Sequence, residues 1–140
     1  MIELTEVRRR AAAAEDRFPL LTLAEFFEGN TVQDSIAPNE WGYGRPPLAD
    51  FLARFREIEA RPEVAWVRVQ IHEETFEEPF GVLSGEAVAL CTTASAEECE
   101  AWTSGLDSTG VNEGYVYPDD WFTDVPEIPA GARVYSVIWD

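Results

Sequence analysis

An amphipathic segment bounded by Pro47 and Pro62 limits the fold of this chain more than any other feature. Its apolar residues recur every three or four positions: Leu48, Phe51, Leu52, Phe55 and Ile58. This spacing predicts a helix over 47–61 with one apolar face. Pro47 suits the first helical turn, and Pro62 ends the helix. The rest of the chain must therefore supply a second layer against which this face can pack.

That second layer is predicted to be a sheet. Residues 64–72 alternate, with Val67, Val69 and Ile71 on one side and polar residues on the other, which is typical of a half-buried strand. Residues 86–93 contain the continuous apolar run 87–91, which favours a more central strand. Residues 133–139 indicate a terminal strand. A short strand around Ser35–Ala37 interrupts an otherwise loop-like region from 30 to 47.

Three further helices are indicated. The first has apolar residues on one face over 4–18: Leu4, Val7, Ala11, Ala14 and Phe18. Thr22 with Glu25, and Ser95 with Glu98, are capping boxes that predict two short helices. The connections 105–114 and 118–131 are predicted to be loops.

The order from residue 35 is strand, helix, strand, strand, helix, strand, which is the βαββαβ order of a ferredoxin-like sandwich. Without the strand at 35–37, the order reduces to a generic α+β layer. We therefore predict one α+β domain over 1–140, with an antiparallel sheet packed by helices and an extra N-terminal helix within 1–18. The helices are expected on one face of the sheet, leaving the other face partly free.

The charge is strongly acidic and uneven. The formal net charge is −17, and the ten basic side chains are all arginine. From Glu63 to Asp140 the charge is −14, against −3 for the first 62 residues. An acidic field repels nucleic acid and anionic membranes and attracts basic surfaces. We therefore expect no direct nucleic-acid or membrane partner, and a basic protein surface as the partner.

Motifs for catalysis and cofactors were not found. The chain has neither a phosphate-binding glycine motif nor a G-x-S-x-G nucleophile, so we expect no cofactor and no catalytic residues. Cys91 and Cys99 are too few for a secreted disulfide framework, and no signal-like apolar run follows Met1. Their spacing does not suit zinc, and both are expected to be buried thiols that could face each other. These features favour a cytoplasmic protein.

Two acidic clusters and one histidine are the candidate polar groups. The acids are Glu73, Glu74, Glu77 and Glu78 in one connection, and Asp119, Asp120 and Asp124 in another. Their spacing does not match a calcium-binding loop, and loop acids are commonly just solvated, so no metal site is predicted. His72 is the sole histidine and ends a strand beside Glu73 and Glu74. It is either a general base or a solvated strand-end residue.

Two aromatic patches in loops complete the candidate binding residues. Trp41, Tyr43 and Arg45 lie in one loop, and Trp121 follows the aspartates in another. Exposed loop aromatics can anchor a partner, or they can fold back and cover the sheet.

Two functions remain open at this point. The first is a non-catalytic acidic binding protein: an immunity or inhibitor protein, or a DNA mimic, acting on a basic partner. The second is a small ligand-binding domain or enzyme whose pocket is lined by Trp41, Tyr43, His72 and Trp121. A deep apolar pocket beside His72 favours the second, and a flat acidic face favours the first. An acidic surface that serves only solubility is a third possibility.

Overall fold

The apolar face of the helix at 48–59 packs on a four-stranded antiparallel sheet in a computed structural model that describes residues 1–139. The helices of the described chain are α1 (Leu4–Ala13), α2 (Leu23–Phe27), α3 (Leu48–Glu59) and α4 (Ala96–Trp102). The strands are β1 (Phe18–Pro19), β2 (Val64–Ile71), β3 (Gly85–Thr92), β4 (Gly110–Glu113), β5 (Phe122–Thr123) and β6 (Arg133–Ile138). The predicted single-domain α+β fold is confirmed.

The main sheet has the order β2-β3-β6-β4, with every neighbouring pair antiparallel. β3 is a central strand, as its apolar run predicts. β4 lies in the segment that was expected to be a loop, and its pairing with β6 explains why. Val111 is the single buried residue of this short strand, so the sequence carries too little alternation to mark it.

The strand expected at Ser35–Ala37 is replaced by other geometry. Residues 33–35 form a 3-10 turn, and Ile36 makes one isolated parallel bridge to Gly85. Ala37 is left-handed, with φ of 50°, and Pro38 follows it, so an extended run cannot continue. The main elements therefore run helix, strand, strand, helix, strand, strand, and the ferredoxin-like order is not confirmed.

All four helices contribute to the larger core, on one face of the sheet. Val67, Val69 and Ile71 point into this core, as the alternation predicts. Their partners include buried side chains from α1, α2, α3 and α4: Val7, Phe26, Phe51, Phe55, Ile58 and Cys99. The first helix stops at Ala13 rather than Phe18, yet Val7 makes it an integral part of the core.

The opposite face of the sheet is covered, which differs from the partly free face that was expected. Trp66, Ala89 and Cys91 project from it into a second apolar cluster with Phe122. β1 and β5 form a small parallel pair over this face, and Tyr115 and Tyr117 pack against the cluster.

A buried hydrogen-bond network fixes this second cover to the sheet. Gln70 has no solvent exposure; its side chain donates to Ser136 Oγ at 2.7 Å and accepts from the Val116 amide at 3.0 Å. Ser136 in turn donates to the Gly114 carbonyl at 2.6 Å. A buried amide that is satisfied in this way holds residues 114–116 in one position.

Gly85 allows the segment around Ile36 to approach the sheet. A Cβ at Gly85 would lie 3.0 Å from Ile36 Cδ1 and 3.2 Å from Phe26 Cζ. We expect Gly85→Ala to lower the free energy of unfolding by about 1–3 kcal/mol, because it overpacks this contact. Urea unfolding measures the change.

A second substitution tests the cause of that loss. Ile36→Val removes Cδ1, so the double variant G85A/I36V should recover part of the stability lost in G85A. Strictly additive losses in the two single variants would contradict the overpacking explanation.

Candidate functional site

The two acidic clusters meet at one end of the sheet, where β2 finishes and β3 begins. Residues 73–76 form a 3-10 turn directly after β2, and residues 119–121 form another directly before β5. The Glu73 amide donates to the Tyr117 hydroxyl at 3.2 Å, which ties the two connections together. We call this region the acidic end; its carboxylates are Glu73, Glu74, Glu77, Glu78, Asp119 and Asp120, all of them exposed.

An aromatic cluster packs against the two turns that form the acidic end. Phe18 stacks on Phe76 with ring centroids 4.8 Å apart, and Tyr117 stacks on Trp121 at 5.3 Å. Phe18 also meets Trp121 edge-on at 6.1 Å. Trp121 is thus partly a covering residue, although its side chain stays exposed. The apolar side chains are used for packing, so the carboxylates of the same turns are left on the surface.

Apolar side chains also protrude beside these acids. Phe80 is 89% exposed, and Val82 is exposed as well, in the connection between the 3-10 turn and β3. Large apolar groups next to charges are common anchors at protein interfaces.

Basic groups offset little of this charge. Among the described residues, Arg8 lies 3.6 Å from Glu78, and His72 Nδ1 lies 3.9 Å from Glu74. Other acids of the second part of the chain lie at the opposite end of the sheet. Glu97 and Glu98 open α4 beyond Thr92, at the other end of β3. Part of the acidic surface therefore lies at one end of the sheet, and the acids do not cover one whole face.

A groove of about 850 Å³ borders the acidic end on the helix side. Its lining comes from residues 1–4, several residues of 32–39, residues 82–86, His72 with Glu74, and Trp139. Of the four side chains expected to line a pocket here, His72 does so; Trp41, Tyr43 and Trp121 do not lie among its lining residues. The groove volume falls within the roughly 300–1,000 Å³ of small-molecule sites.

Both ring nitrogens of His72 have partners. Nδ1 accepts a hydrogen bond from the Glu74 amide at 3.0 Å, and Nε2 lies 3.1 Å from a Glu86 carboxylate oxygen. An acceptor at Nδ1 places the ring proton on Nε2, directed at Glu86. The Glu86 carboxylate thus orients the ring at the edge of the groove.

Trp41, Tyr43 and Arg45 follow the segment that lines the groove and are not among its lining residues. Arg45 is buried: its guanidinium donates to the Gln33 and Ile36 carbonyls and to Gln33 Oε1, and it lies 4.6 Å from the Trp41 ring. Burial lowers the pKa of Arg45. The arginine organises the 33–46 loop, and Tyr43 projects into solvent at 83% exposure.

Near this loop, Glu40 and Asp107 form a carboxyl pair. A side-chain hydrogen bond with Asp107 favours the protonated form of Glu40 and raises its pKa. Cys91 and Cys99 form no disulfide, and both thiols are buried. They belong to apolar clusters on opposite faces of the sheet. Burial raises the pKa of Cys99 to about 11.

Several residues of the groove carried no clear signal in the sequence. Glu86 begins an apolar strand, and Asp34 sits in a region interpreted as loop and weak strand. Trp139 has its indole nitrogen bonded to the Leu106 carbonyl, so it serves the core as well as the groove. Within residues 1–139 no group of three or more histidine, cysteine or acidic residues is placed to hold a metal ion. None of the described helices is long and apolar enough to cross a bilayer.

Fold and site together define a small, acidic α+β protein with a groove beside the acidic end of its sheet. The chain belongs to the uncharacterized protein YfbO family, whose pattern matches residues 2–137. It is 29% identical over 126 residues to the uncharacterized protein YfbO of Escherichia coli (strain K12), covering 87% of this chain and 83% of that protein. No solved structure matches the chain significantly.

Arg45 offers a direct test of the loop's organisation. We expect Arg45→Lys to lower the free energy of unfolding by about 2 kcal/mol, because an ammonium cannot reach all the buried acceptors of the guanidinium fork. Arg133→Lys is the matched control: Arg133 forms an exposed ion pair with Glu113, and the change should cost less than about 0.5 kcal/mol. Equal losses in the two variants, measured by urea unfolding, would contradict this role for Arg45.

Proposed function

We propose that this protein is a non-catalytic binding protein whose acidic end docks on a basic partner. The observation that carries the proposal is the convergence of the 73–78 and 119–121 turns, which brings six exposed carboxylates to the end of the sheet from which the exposed Phe80 and Val82 also project. A charged rim around apolar anchors is the usual composition of a transient interface. The net charge of −17 would steer a basic surface toward it.

Two forms of this function suit a small acidic protein. An immunity or inhibitor protein neutralises a basic nuclease-type toxin from a surface outside its DNA site. A DNA mimic presents carboxylates where its partner expects phosphates. Competition separates the two forms, since duplex DNA displaces a DNA mimic from its partner but does not displace an inhibitor bound outside the DNA site. A cytoplasmic location is part of the same proposal.

Neutralising the acidic end should weaken docking more than neutralising acids elsewhere. The test variant is E73Q/E77Q/D120N, and the matched control E57Q/E97Q/E100Q removes the same charge from α3 and α4. Both are compared with the unmodified protein by affinity capture from native extract and then by Kd with the purified partner, at about 0.05 M and about 0.5 M NaCl.

The expected partner is basic, its affinity falls with salt, and its Kd rises by about tenfold or more in the test variant and much less in the control. Equal effects in the two variants would assign the attraction to net charge alone. A partner that is neutral or acidic would contradict the proposal.

A second candidate function is supported by the groove beside His72. Its volume and its oriented His72–Glu86 pair suit a small ligand-binding domain or an enzyme. His72→Asn keeps a side-chain acceptor near the position of Nδ1 and loses the contact with Glu86. If the groove binds a ligand, this variant should weaken the binding of a ligand found by screening. Tyr43→Phe should not, because the Tyr43 side chain is exposed and is not among the lining residues. A ligand whose affinity is unchanged in H72N would argue against the groove.

A further inference from the structure

We propose that the groove beside His72 binds a small aliphatic amine, with its ammonium group at the carboxylates and its alkyl stem on the apolar wall. The inference rests on the second candidate function, and it adds the chemical class of the ligand. It does not require the acidic end to dock on a protein.

The charge of the groove favours a positively charged ligand. Glu3, Asp34, Glu74 and Glu86 belong to its lining, which contains no arginine, and the chain has no lysine. The amino group of Met1, which also lines the groove, donates to the Glu28 carbonyl. Both ring nitrogens of His72 already have partners, since Nδ1 accepts from the Glu74 amide and Nε2 lies 3.1 Å from the Glu86 carboxylate. A carboxylate or phosphate ligand would meet repulsion, whereas an ammonium group would find several acceptors.

The apolar part of the lining favours a ligand with an alkyl stem. Leu83 and Trp139 are buried, and Val82 stands exposed at the margin of the groove. Leu4 contributes from α1 and Ala37 from the opposing loop. These side chains offer an apolar wall beside the carboxylates, and an alkyl stem would be removed from water there. An inorganic cation gains nothing from such a wall, and a neutral alkyl chain gains nothing from the carboxylates.

The ligand is inferred to be a free small molecule rather than a lysine of a partner. The lining comes from separate parts of the chain, namely residues 1–4, several residues of 32–39, His72 with Glu74, residues 82–86, and Trp139. The volume of about 850 Å³ is that of a small-ligand site. The Ile36–Gly85 bridge holds two of these segments together. An open acidic surface without such walls would bind any basic residue through charge alone.

Hexylammonium is the probe for this site. Binding is followed by ¹H–¹⁵N NMR shifts, with hexanol and hexanoate as neutral and anionic probes of the same chain length. We expect hexylammonium to shift the amides of residues 34–37, 72–74 and 82–86 saturably, and the other two probes to shift them little. An acetylated, amidated Gly-Lys-Gly peptide tests whether a lysine side chain binds instead.

Glu86→Gln keeps the size and the hydrogen-bond acceptor beside His72 but removes the charge. Glu86→Gln should raise the Kd for hexylammonium about tenfold, and Asp34→Asn should do the same. Glu97→Gln on α4 should leave this Kd unchanged. The NMR spectra of the variants also report directly whether each one is folded.

Four results would overturn the inference. The first is that hexylammonium does not shift the groove amides, and the second is that it binds E86Q, D34N and E97Q alike. The third is tighter binding of the lysine peptide than of hexylammonium, which would assign the groove to a polypeptide. The fourth is tighter binding of hexanol or hexanoate than of the amine, which would reject the amine class while leaving a ligand-binding groove in place.

Discussion

The structure depends on one constraint: strand β3 is apolar on both sides, so both faces of the sheet must be covered. Residues 87–91 have no solvent exposure. Val88 and Leu90 belong to the helix-side core, whereas Ala89 and Cys91 belong to the second cluster. Four short helices cover the first face. Within residues 1–139 no α-helix covers the second face, so the connections after β4 must do so, together with the pair of β1 and β5.

This constraint explains where the acids lie. A connection that crosses an apolar face has to direct its aromatic residues inward, as Tyr115, Tyr117 and Phe122 are. Its carboxylates cannot be buried without partners, so they remain at the margin of the sheet. The same division applies after β2, where Thr75 is buried and Glu73 and Glu74 are exposed. The acidic end is thus a consequence of covering the second face, and the Gln70–Ser136 network holds that cover in register.

Local patterns predicted the elements well and the topology less well. The capping boxes at Thr22 and Ser95, the helix face of Phe51 and Phe55, and the alternation of β2 are all present, because each depends on neighbours within one turn or one strand. The position of β6 between β3 and β4 depends on pairing over long separations, which periodicity does not encode. For the same reason the sequence indicated His72 but not Glu86 or Asp34: the groove is made by distant segments that Gly85 allows to approach.

The groove and the acidic end are not independent, because they share Glu74. Its amide fixes Nδ1 of His72 at the groove, and its exposed carboxylate belongs to the acidic end. Charges within a Debye length of about 8 Å at physiological salt act on one another. An amine held beside Glu74 would neutralise part of the field that steers a basic partner, and a docked partner would weaken the attraction for the amine. Since such coupling is reciprocal, the two proposed activities would oppose each other by equal free energies, with Glu74 as their point of contact.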